Sequence, residues 1–89
     1  MDCKIRKPVL IFSKAMEKRL QEKDDEYGEQ SWLDPDYNVI ELEKRLNHKI
    51  SDLHKKFHDC DPKGMSKKCL DIANYAMMIS DRLRGRFLL

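Results

Sequence analysis

Glycine and proline are scarce in this chain, three of each in 89 residues, and no internal repeat or low-complexity tract is present. No segment alternates apolar and polar residues as an exposed strand would. Long apolar runs are missing too. Val9-Leu10-Ile11-Phe12 gives way at once to Ser13-Lys14, which excludes a secretory h-region and a bilayer span. Cysteine occurs three times, at Cys3, Cys60 and Cys69. An odd count with no leader argues against a disulfide framework and for a reducing cytoplasm. Charge of one sign is not in excess: the net charge is +2, and aromatics make up 8% of the residues. Basic residues do gather towards the C-terminus, among them Lys55, Lys63, Lys67 and Arg82, but Asp59, Asp61, Asp71 and Asp81 interrupt them. With no aromatics interleaved for stacking, nucleic acid is not the expected partner.

What is present suits helices. Hydrophobic residues make up 40% and charged residues 38%, a mixture fit for thin amphipathic helices rather than a thick core. The length allows one domain, 1–89, and a chain this short buries a small share of its surface. That arithmetic favours a homo-oligomer. The charge is unevenly spread: the middle, from Glu22 to Glu43, is acidic, and Lys and Arg dominate from Lys44 onward. Segments of opposite sign are expected to solvate the surface and pair with one another.

Three helices are predicted, over about 9–23, 35–59 and 62–84, with a flexible 1–7 and a tail at 85–89. In the first, Phe12, Met16 and Leu20 recur every four residues, after a Pro8 that suits a first turn. The polar stretch from Asp24 to Ser31 reads as a loop, with Trp32 and Leu33 pinning it to the core. Asp34-Pro35 and Asp61-Pro62 are both helix starts, Asp as N-cap and Pro in the first helical position. Val39, Leu42, Leu46, Ile50, Leu53 and Phe57 form a near-heptad seam suited to a partner helix. The third helix carries Met65, Cys69, Ile72, Ala73, Ala76, Met77, Ser80 and Leu83 on its apolar side. Its small residues would let another helix approach closely, and Gly85 is the expected stop.

Several residues invite chemistry. His54 and His58 share a helix face, but the pattern lacks the Glu of H-E-x-x-H and no C-x-x-C accompanies it. Exposed histidines and structural cysteines are the preferred reading over zinc, with Cys69 acting as a small hydrophobe. Met65, Met77 and Met78 read as adaptable packing. Asn74 could hold a ligand or make a bundle hydrogen bond, and Trp32 could stack on a base or anchor its loop.

The segment Lys68-Cys69-Leu70-Asp71-Ile72-Ala73-Asn74-Tyr75-Ala76-Met77-Met78-Ile79-Ser80-Asp81 resembles the last helix of the MazG-like, all-α nucleoside triphosphate pyrophosphohydrolases. The small phage and prokaryotic members, in which E-x-x-D-V-A-N-F-A-M-M-I-A-D is typical, are the most similar. The stretch from Lys44 to Leu53 falls where that family has R-L-x-E-E-x-x-E-L, and the likeness extends over about Phe12 to Arg84. It implies a helical bundle completed by oligomerisation. It also implies a Mg²⁺ held by carboxylates one helical turn apart on two helices, beside an apolar pocket for the base. In such enzymes the metal activates water for attack on the α–β phosphoanhydride.

The ligand positions are altered here. The first acidic motif falls on His48, Lys49 and Asp52, and the second on Lys68 and Asp71. Asp52 and Asp71 remain carboxylates, but a lysine ammonium has no acceptor with which to ligate Mg²⁺. Cations at those corners also repel the ion. No metal and no cofactor are therefore expected, and no catalytic residue is assigned. Lys49 and Lys68 would either bridge Asp52 and Asp71, in place of the metal, or swing into solvent.

Three functions follow as expectations. The first is a MazG-like scaffold that has lost hydrolysis and binds a nucleotide (with Asn74 and Trp32) or a protein partner. The second is a working Mg²⁺-dependent pyrophosphohydrolase with ligands rearranged among Glu41, Glu43, Asp52, Asp71 and Asp81. The third is a small helical interaction module for a protein or nucleic acid.

Overall fold

The structure, a computed structural model, describes residues 4–27, 31–34 and 37–87. It is all-α: helices α1 (Lys7–Tyr27), α2 (Val39–His58) and α3 (Pro62–Phe87), with a 3-10 turn at Ser31–Leu33. Among the described residues there is no strand, and no helix is long and apolar enough to cross a membrane.

Each helix boundary has an identifiable cause. α1 continues through Asp24 to Tyr27, beyond the expected stop at 23. The apolar spacing ends there, but no helix breaker occurs before Gly28. Exposed pairs such as Gln21 donating to Glu17 (2.9 Å) support the polar turns. α2 opens at Val39 and not at position 35. Asn38 is its N-cap, accepting the Ile40 N–H at 2.9 Å. The Asp34 carbonyl is already taken, by the Tyr37 N–H (2.9 Å) and the Arg82 guanidinium (2.6 Å), so this residue belongs to a turn. Pro35 lies outside the described residues.

The corner between α2 and α3 is tight. Cys60 adopts a left-handed φ of 54°. Its N–H bonds the Phe57 carbonyl (3.2 Å), and the Asp61 N–H bonds that of Lys56 (3.0 Å). This is a Schellman motif with cysteine where glycine is usual. Asp61 then caps α3, its Oδ1 accepting the Gly64 N–H at 3.0 Å. α3 does not stop at Gly85 but runs to Phe87. A glycine inside a helix costs about 1 kcal/mol, and Arg84 and Arg86 on either side are good helix formers.

α2 and α3 form an antiparallel hairpin, and α1 crosses α3 over a shorter stretch. The interior is small. Among the described residues, the buried hydrophobic side chains are Trp32 and Leu42, joined by two buried polar ones, Asp71 and Asn74. The α2 seam is only partly covered: Leu42 is buried and Leu46 and Leu53 half-buried, whereas Ile50 and Phe57 are exposed. Leu33 is also exposed, so of the two it is Trp32 that packs its turn onto the core. Cys60 and Cys69 are exposed, which corrects the expectation of structural cysteines. Ala76 and Ser80 on α3 are exposed as well.

Candidate functional site

The charged positions singled out in the sequence converge on the α2–α3 interface. Lys49 on α2 lies 3.8 Å from Asp71 on α3, and Lys68 on α3 lies 3.8 Å from Asp52 on α2. His48, itself exposed, adds a contact to Asp52 at 3.6 Å. The antiparallel hairpin explains the reciprocity, because each lysine faces the other helix's aspartate. Both lysine side chains are only about a quarter exposed or less, so they turn inward rather than into solvent.

Sequence reasoning missed the strongest member of this cluster. Arg19 on α1 reaches Asp71 with Nε at 2.9 Å from Oδ1 and Nη2 at 3.4 Å from Oδ2, a forked pair that ties α1 to α3. Asp71 is 7% exposed. Its hydrogen bond holds the Arg19 pKa above the ordinary value against the opposing effect of burial. Nothing local marks Arg19: it is one of several basic residues on α1, and its partner is 52 residues away.

This donor set does not fit Mg²⁺. Two carboxylates face a guanidinium and two ammonium groups, and both oxygens of Asp71 are engaged by cations. The alternative ligands do not assemble either. Glu41 lies beside Arg45, and Asp81 accepts from the Trp32 indole (3.0 Å) and pairs with Arg84 (2.9 Å). Among the described residues, no three His, Cys, Asp or Glu side chains gather as metal ligands would.

Beside the cluster lies a cavity of about 180 Å³ between the three helices and the 3-10 turn. Lys49 and Asp71 form one wall. Trp32, Tyr37 and Tyr75 supply aromatic surface, and Lys23 and Arg45 supply further positive charge. The Arg45 guanidinium stands 5.8 Å from the centre of the Tyr37 ring. Burial works against its charge, but the phenols of Tyr37 and Tyr75, with Glu41, more than offset this and raise its pKa.

No family model, curated protein or solved structure matches this chain. The site must speak for itself. Asn74 and Trp32, singled out in the sequence, both line the cavity. Asn74 is 4% exposed, and its Nδ2 donates to the Met16 carbonyl at 3.2 Å, the bundle hydrogen bond of the plainer reading. Its Oδ1, however, is buried with no hydrogen-bond partner. A buried acceptor left unpaired costs about 1–3 kcal/mol, and this one is sealed from solvent. Trp32 is held by Asp81 and by Arg82, which donates to the Trp32 carbonyl at 2.8 Å. The indole is therefore anchored and still presents surface to the cavity.

Proposed function

We propose that this protein is a MazG-like scaffold that binds a nucleotide without a metal ion and does not hydrolyse it. The observation that carries the reading is the cavity itself, walled by the Trp32, Tyr37 and Tyr75 rings and by Lys23, Arg45 and Lys49. Aromatic surface suits a nucleobase, which stacks on such rings. Arg45, Lys23 and Lys49 supply the positive charge that phosphates need, where an active relative would use Mg²⁺. The cavity is smaller than the roughly 300–1,000 Å³ of full ligand pockets, so it takes the base while the phosphates lie at its mouth.

The loss of hydrolysis rests on the same chemistry. A water activated by Mg²⁺ needs anionic ligands, and here Arg19, Lys49 and Lys68 neutralise the two aspartates.

The test is calorimetry with a panel of nucleotides in EDTA. Binding is expected without metal, with little change when Mg²⁺ is added and no release of pyrophosphate. Arg45→Ala should weaken binding by about tenfold or more, the worth of a charged hydrogen bond. A melting temperature that no nucleotide moves in EDTA, or pyrophosphate released once Mg²⁺ is present, would refute the reading.

A further inference from the structure

A second cavity, of about 380 Å³, lies between α1, α3 and the 3-10 turn. Its volume falls within the roughly 300–1,000 Å³ typical of ligand pockets. Helical spacing builds two of its walls. Glu17, Leu20 and Asp24 form one stripe of α1, and Met77, Ser80, Asp81 and Arg84 form one stripe of α3. Trp32 lines this cavity as well as its neighbour, and its indole is fixed there by the hydrogen bond to Asp81.

The two cavities differ in sign. Lys23, Arg45 and Lys49 line the first, whereas Glu17, Asp24 and Asp81 outnumber Arg84 around the second. Arg84 is already paired with Asp81 at 2.9 Å. Glu17 accepts a hydrogen bond from the neutral Gln21 amide, and among the described residues no cation pairs with Glu17 or Asp24. The chain as a whole carries a net charge of +2. Attraction of a cation to this cavity is therefore a local property and not an effect of the bulk field.

The layout specifies what kind of cation fits. Glu17 and Asp24 stand about 10 Å apart along the axis of α1, too far to share one metal ion. Among the described residues, no three acids gather as metal ligands would. Leu20 lies between the two carboxylates on the same stripe, and Met77 and Trp32 add apolar surface to the cavity. Separated anions with an apolar strip between them match separated ammonium groups joined by methylenes. An indole also attracts an ammonium through its ring face. We propose that this cavity binds a linear aliphatic polyamine. Its ammonium groups pair with Glu17 and Asp24, and its methylene chain runs along Leu20, Met77 and Trp32.

Calorimetry on the full chain at low salt tests this, with spermidine, butylamine, Mg²⁺ and trilysine as separate ligands. Nucleotide is left out, because Leu20, Asp24 and Trp32 line both cavities. Spermidine is expected to bind at one site per chain, about tenfold or more tighter than butylamine, which has a single ammonium. It should also bind more tightly than Mg²⁺ or trilysine, and more weakly as salt is added. Glu17→Gln with Asp24→Asn should keep its helical circular dichroism and weaken spermidine by about tenfold or more. Glu43→Gln with Asp59→Asn removes the same charge from exposed positions outside the cavity, and should leave spermidine binding unchanged. The proposal is overturned if spermidine does not bind, or if butylamine or Mg²⁺ binds as tightly. Tighter binding of trilysine, the mark of a peptide site, or an equal loss in both variants would also overturn it.

Discussion

At the scale of single residues, two side chains carry unusual weight. Arg19 satisfies a carboxylate that is nearly sealed from water, and removing one partner of such a pair strands the other. Arg19→Ala should cost about 2 kcal/mol in urea unfolding, an estimate reduced for the exposed fifth of the arginine side chain. Because the Arg19 pKa is raised, its contribution is complete below the unfolded-chain value and fades only as pH climbs through the folded one. The difference between wild type and variant should therefore hold steady from about pH 7 to pH 10. Cys60 makes the opposite case. A non-glycine residue at φ 54° costs about 1–2 kcal/mol. Less the roughly 0.5–1 kcal/mol that glycine's extra chain freedom costs, Cys60→Gly should gain about 1 kcal/mol and raise the melting temperature by about 4–8 °C, measured by calorimetry under reducing conditions. The sequence hides this corner, since Asp59-Cys60-Asp61-Pro62 contains no glycine to mark the turn.

At the scale of elements, the helix starts separate local from non-local causes. Asp61-Pro62 caps α3 as its sequence announces. Asp34-Pro35 reads just as clearly, yet Arg82 and Tyr37 claim the Asp34 carbonyl and the cap moves to Asn38. Asn38→Ala and Asp61→Ala should each cost about 1 kcal/mol of stability in urea titrations. Gly64→Ala, usually a gain inside a helix, should give none. Its new Cβ would meet the Asp61 carboxylate at 2.5 Å and the Lys56 side chain at 2.7 Å, and the carboxylate it displaces is the cap itself.

At the scale of the whole molecule, the α2–α3 hairpin is a pair of crossed ion pairs where the resemblance implies a metal. Lys49→Glu with Lys68→Glu would join Asp52 and Asp71 in a cluster of four acids. The metal-free variant should melt lower than wild type, because like charges then meet at one interface. Mn²⁺ should restore part of the loss for the variant and leave wild type unmoved. A variant whose melting temperature ignores Mn²⁺ would contradict the link between this cluster and an acidic metal site.

The amino-acid order by itself determined the three helices and the opposite charges of Lys49 and Lys68 against Asp52 and Asp71. Periodicity, caps and residue type are local properties, readable a few positions at a time. Only the tertiary structure decided that Arg19 would clamp Asp71, that Trp32, Tyr37 and Tyr75 would wall one cavity, and that Asn74 would keep a buried oxygen unpaired. Those outcomes join side chains about 50 residues apart, and no local pattern encodes which of many cations or rings will meet once helices cross.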